Sequence, residues 1–266
     1  MLASWHSLPA DAKRLDYKDN TMSAISRVGE YTLLMKRACA LPDRWSMFFR
    51  QYTREIVNLG IDSILIDIII SIFIGAAITI QTKSNMSNPL LPKYVTGLAV
   101  RDCLLLEFSS SVMCVILAGK VGSSIASEIG SMKISEQIDA LDIMGVNSAN
   151  YLILPKIMAM ITVIPSLIII SAASGIVGGF MIAEFTDIIS LHEYVYGIQY
   201  SFNPFFITYS IIKGLVFAFI ISSVSSYFGY SVKGGAREVG HASTQAVVNS
   251  SVIILVSNLL LTKVLL

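Results

Sequence analysis

Charge is scarce in this chain. Of 266 residues only 14% are Asp, Glu, Lys or Arg, 54% are hydrophobic, and the mean hydropathy is +0.69. A soluble domain carries about 25% charged residues, so the composition belongs to a membrane protein. The net charge of +1 offers no basic excess for nucleic acid. Histidine is rare too: His6, His192 and His241 are scattered, without the spacing of metal ligands. Three cysteines, Cys39, Cys103 and Cys114, fall on the expected inner side or within spans, where disulfides do not form, and read as packing residues. A phosphate-binding loop is missing. "AGKVGSS" has a Gly-Lys pair, but no earlier Gly at the required spacing, and Val121 follows Lys120 where Ser or Thr is needed. Strand-like alternation is missing as well, which excludes a transmembrane β-barrel. No catalytic constellation, metal site or cofactor site stands out, so the chain is not read as an enzyme.

What the chain has is long apolar runs, at about Ile61 to Ile80, Leu98 to Leu117, Tyr151 to Ala183, Phe205 to Tyr230 and Val247 to Leu266. A helix needs roughly 20 apolar residues to cross a bilayer, so five transmembrane helices are expected. Nine of the 19 Lys and Arg precede Asn58, whereas Glu184 to Asn203 has none. That asymmetry places the N-terminus inside and the C-terminus outside. Residues 1–21 lack the apolar core of a signal peptide and read as a disordered tail, or as a mis-assigned start with Met22 the true one. Residues 22–59 mix apolar and aromatic side chains with Arg27, Lys36, Arg37, Arg44, Arg50 and Arg54. They read as amphipathic helices lying in the interface, with a cytosolic hairpin as the alternative. The five-span body is 60–266, and "KGGAREVG" is expected to form a tight cytoplasmic turn.

One stretch resists this pattern. "EIGSMKISEQIDALDIMGVN", Glu128 to Asn147, is rich in acidic and amide groups yet lies between two apolar runs. At 100° per residue Ile134, Ile138 and Leu141 form one stripe, while Glu136 and Asp139 point elsewhere with Ile143 near them. One face can pack on the spans and the other can receive a soluble partner. A helix that merely joins two spans is the alternative.

The same residues resemble a known family. "AGKVGSSIASEIGSMKISEQIDALDIMGVNSANYLILPK", with "FIGAAITIQ" (Phe73 to Gln81) and "GYSVKGGAREVGHASTQAVVNSS" (Gly229 to Ser251), is similar to the signature of MlaE/YrbE permeases. These are the membrane subunits of ABC transporters that work with MCE proteins on lipids. The resemblance implies a homodimeric, all-α permease with five spans, an N-terminal interfacial (elbow) helix and a cytoplasmic coupling helix at about 123–147. That helix would dock on a separate ATPase subunit that binds the ATP. Glu136, Gln137, Asp139, Ala140, Met144 and Gly145 match the family's coupling segment. The chain departs from the family at Lys120, at Asn147 and Ser148, and at Asn258, where an Asp is usual. Ahead of "AGK" the family shows an Arg-Glu pair and a Gly-Pro, but this chain has Leu106, Glu107, Phe108, Ser109 and Ser110.

Ionisable residues inside spans are costly and face a cavity or a partner. Asp67, Glu107 and Lys213 qualify, with Asp67 near enough to the inner end to be drawn to that interface. Glu107 and Lys213 fall at about 20 and 25 Å above the inner end, by 1.5 Å per residue. They are therefore expected to pair with each other or to meet a lipid headgroup. The resemblance favours the headgroup for Glu107, with Phe108, Phe73 and Ile78 as apolar lining. The resulting expectation is a multi-pass permease of a bacterial inner membrane. It would move phospholipid, or a similar lipid, to or from a periplasmic MCE protein and so contribute to outer-membrane lipid homeostasis. The alternatives are a non-transporting anchor for the ATPase and MCE subunits, or a permease for a small polar solute.

Overall fold

A computed structural model describes residues 26–40, 45–86, 92–186 and 189–265; the expected tail at 1–21 lies outside them. The described residues form helices without strands. A first helix, α1 (26–38), is followed by α2 (Trp45–Asn85), α3 (Val95–Ile134), α4 (Gln137–Ile143), α5 (Ser148–Phe185), α6 (Leu191–Gln199), α7 (Phe205–Tyr230) and α8 (Ala236–Leu265). Five of these, α2, α3, α5, α7 and α8, are long and apolar enough to cross a membrane. The chain is a multi-pass all-α membrane protein.

The helices outrun the apolar runs that reveal them. Hydropathy places the fifth span from Val247, but α8 begins at Ala236. The "AREVG" expected in a turn is therefore helical, and the turn itself is 231–235 with Gly234 at φ 117°. Likewise α2 runs without a break from its aromatic, Arg-bearing start into the first span, through π-helical turns at Ile56–Ile61. Pro155 and Pro165 lie within α5 without ending it.

Parallel neighbours α2 and α5 pack with backbone almost touching backbone. Ser71 and Ser171 share a hydrogen bond of 2.8 Å. A methyl group added to Gly75 would lie 1.9 Å from the Gly175 carbonyl oxygen, and one on Gly178 would lie 2.1 Å from that of Ile72. Small residues thus set this contact, as between helices in lipid, where packing rather than water exclusion drives association. Around it Leu117, Ile125, Ile129, Ile153, Ile164, Phe217 and Ile221 form one buried core.

The two ends of the bundle differ. At one, α4 connects α3 to α5. At the other, α6 is held by Arg101, whose guanidinium donates to the carbonyls of Ile198 (2.9 Å) and Tyr200 (2.8 Å). Tyr194 of α6 is buried over Gly179 and donates to the Ile176 carbonyl at 3.1 Å; burial pushes its phenol up to about 12. Two expectations need correction. Asp67 meets no partner: it is fully buried, and neither carboxylate oxygen has a hydrogen-bond partner among the described residues. Of the cysteines only Cys114 is a packing residue, because Cys39 and Cys103 are exposed.

Candidate functional site

Within the spans the densest polar cluster gathers around Glu107. It sits in a π-helical stretch of α3, Leu104–Val112, and such widened turns recur at functional sites. Lys213 of α7 places its Nζ 3.0 Å from Glu107 Oε1, and its side chain is 0% exposed against 40% for Glu107. From α8, Asn258 Nδ2 donates to Glu107 Oε2 at 3.0 Å. Ser111 Oγ lies 3.1 Å from the same oxygen and 2.8 Å from Asn258 Oδ1, so its single proton serves one of the two. Tyr209 donates to Thr262 at 3.1 Å, and Thr262 lies 3.5 Å from Glu107 Oε1. The Lys213 ammonium also stands 4.4 Å over the Tyr209 ring. A buried cation therefore neutralises a carboxylate that keeps one accessible side. The cluster is a charge-balanced spot in largely apolar helices, able to accept hydrogen bonds or to attract a cationic group.

Glu107 and Lys213, level in depth, do meet, but the apolar residues named with them are not gathered there. Phe108 and Ile78 belong to a separate cluster with Val100, Leu104 and Tyr194, and Phe73 is exposed on α2. Ser111, Tyr209 and Thr262 complete the cluster although hydropathy does not single them out. The signal was present: Ser111 is four residues after Glu107, Tyr209 four before Lys213, and Thr262 four after Asn258, so each pair shares a helix face.

A second surface lies at the α4 end. The backbone turns between α3 and α4 at Ser135 and Glu136, with Glu136 in the left-handed region at φ 60°. Then α4 buries Ile138 completely, with Leu141 packed against the core. Glu136, Gln137, Asp139, Ala140, Met144 and Gly145 are all exposed, and so is Ile143, at 87%. Ile138 and Leu141 turn inward and Asp139, Ala140 and Ile143 outward as 100° spacing requires, but Ile134 belongs to α3, ahead of the turn. The helical segment differs from the 123–147 expected, because Ser123–Ile134 simply prolongs α3 and only Gln137–Ile143 is separate. Asp139 is not wholly free, since Lys133 reaches it at 2.7 Å. Beside this surface a groove of about 540 Å³ is lined by Met47, Phe48, Leu141, Met144, Gly145 and Tyr151.

Residues 52–264 match the family described as Permease MlaE. The chain belongs to the MlaE permease family. Among its relatives is a probable ABC transporter permease protein of Rickettsia bellii, 31% identical over 91% of this chain and 93% of that one. A probable ABC transporter permease protein of Synechocystis is 31% identical over 80% of this chain and 81% of its own length. The chloroplast protein TRIGALACTOSYLDIACYLGLYCEROL 1 of Arabidopsis thaliana is 29% identical over 81% of this chain and 61% of that one. In this MlaE-family permease the second span, without the helix-bending Gly-Pro, stays helical from Val95 to Ile134, its turns widened rather than broken. The amide at Asn258 also has a local reason, because it donates to Glu107 where an Asp would set two carboxylates face to face.

Proposed function

We propose that this permease is the membrane subunit of an MCE-associated ABC transporter. It moves phospholipid, or a similar lipid, between the inner membrane and a periplasmic MCE protein, and so contributes to outer-membrane lipid homeostasis. It acts as a homodimer, with the α4 end and the N-terminus in the cytoplasm and the C-terminus in the periplasm. ATP is bound and hydrolysed by a separate ATPase subunit docked on the exposed face of α4, and the permease itself needs no cofactor.

The observation that carries this reading is the Glu107 cluster: one charge-balanced polar spot, half accessible, within apolar spans. An amphiphile needs one polar contact and much apolar surface, whereas a path for a small polar solute needs polar groups along its whole length. The name of the Arabidopsis relative, which is that of a galactolipid, agrees with a lipid cargo. Purification in mild detergent with neighbouring subunits, followed by mass spectrometry of bound lipids and proteins, tests it. An ATPase, an MCE protein and co-purifying phospholipid are expected; a complex without lipid whose transport assay responds to a polar solute would overturn it.

A further inference from the structure

Toward the α4 end of the bundle, between the amphipathic start of α2 and the two helices that carry α4, lies a second ionic cluster. Lys156 of α5 has a side chain only 1% exposed. Its Nζ contacts Glu55 Oε1 of α2 at 2.7 Å and Glu128 Oε2 of α3 at 2.6 Å. Glu55 is buried, and its other oxygen has no hydrogen-bond partner among the described residues, so that carboxylate depends on Lys156 alone. Glu128 is different, with 45% of its side chain exposed. One cation thus joins three helices through one sealed arm and one that water reaches.

The placement gives the cluster its meaning. Glu128 is six residues before the end of α3 at Ile134, and Lys156 is eight residues after the start of α5 at Ser148. By 1.5 Å per residue these are about 9 and 12 Å from the two ends of the α4 connection. The Lys156–Glu128 contact therefore bridges both legs of α4 at one height, and the Lys156–Glu55 contact passes from them to α2. Beyond Glu55, α2 continues without a break through Gly60, packed on Val163, into the first span. Burying a lysine and a carboxylate costs desolvation that an apolar trio at this spot would not incur, so stability alone does not explain the choice.

We propose that Lys156 is a positioning residue that makes α3, α5 and α2 move together when a partner displaces α4, turning a push on α4 into a shift of the first span. This rests on the reading of α4 as an ATPase-docking helix. Lys156 acts through Glu55 and Glu128.

The test uses the whole complex reconstituted in phospholipid vesicles, with two readouts, ATP hydrolysed and lipid transferred. Glu128→Gln leaves the Lys156–Glu55 pair intact, and Glu55→Gln leaves the Lys156–Glu128 pair intact, so each variant keeps the lysine paired. Each is expected to assemble and hydrolyse ATP, while lipid transferred per ATP falls about tenfold, a typical size for coupling between sites. Lys156→Arg, which keeps the charge and reaches both carboxylates, should stay near native. Glu193→Gln, in the distant α6, sets the baseline. An unchanged ratio of lipid to ATP in both Gln variants would overturn the proposal, leaving the cluster as a structural ion pair, and so would loss of assembly in both. If the native chain itself recruits no ATPase, the docking reading fails first and this proposal with it.

Discussion

Breaking the Glu107–Lys213 pair from its two sides should cost different amounts. Glu107→Leu strands an ammonium that is 0% exposed and keeps only the Leu106 carbonyl at 3.5 Å and the Tyr209 ring at 4.4 Å. Orphaning one member of a buried pair costs roughly 3–5 kcal/mol. Because Glu107 is 40% exposed and part of the attraction is screened, the lower end, about 3 kcal/mol, applies. Lys213→Met is milder: the carboxylate keeps the Asn258 amide, the Ser111 hydroxyl and an accessible side, and the expected loss is about 1 kcal/mol. The double variant removes both charges from apolar surroundings and should return to within about 1 kcal/mol of the native protein. The cycle then yields a coupling of about 3 kcal/mol. Unfolding in detergent–SDS mixed micelles gives the stabilities, and lipid transfer by the reconstituted complex gives the activity. Additive losses would refute the pairing itself. A double variant with restored stability but no transfer places the charges in lipid handling. Full recovery of both would reduce the pair to a strut and reject the headgroup role.

Three further outcomes are expected. Glu136→Lys and Asp139→Lys should each weaken ATPase association without unfolding the permease, by several kcal/mol for a reversed contact at a charged docking surface; native pull-down by both would reject that surface, and Asp139→Lys also frees Lys133. Cysteines placed singly from Ile25 to Leu59 should alternate between reagent-accessible and lipid-shielded with a helical period if this segment lies in the interface; uniform labelling by a water-soluble thiol reagent would indicate a cytosolic segment instead. Gly75→Val should push α2 off α5, because even a methyl group there meets the Gly175 carbonyl oxygen at 1.9 Å, and an overpacked core loses about 1–3 kcal/mol or more. Gly240→Ala, with nothing within 4 Å of the added carbon, is the matched control, and equal thermal stability of the two variants would refute the close contact.

The legible and illegible parts of this molecule divide along one physical line. A bilayer forces each span to satisfy its own backbone, so span number and helix type follow from apolar length alone, and all five helices stand where the runs lie. Where lipid ceases to be the solvent, hydropathy is silent: α8 gains its first turns from Ala236 although they are polar, and α2 extends back to Trp45. Depth is equally readable, since 1.5 Å per residue puts Glu107 and Lys213 level and the structure joins them at 3.0 Å. Direction around the helix is readable only between residues one turn apart. Phe108 follows Glu107 in sequence yet turns to the Ile78 side of α3, and the π-helical stretch that carries both departs from the 100° per residue on which face assignments rest. The same limit hid Lys156. Counted by position it is one more cation near an inner end, and only the packing of α2, α3 and α5 shows that it has two carboxylates. A charge in a membrane protein is thus located by sequence along the normal but paired only by the bundle, which is why the chemistry of this permease resides in contacts between helices.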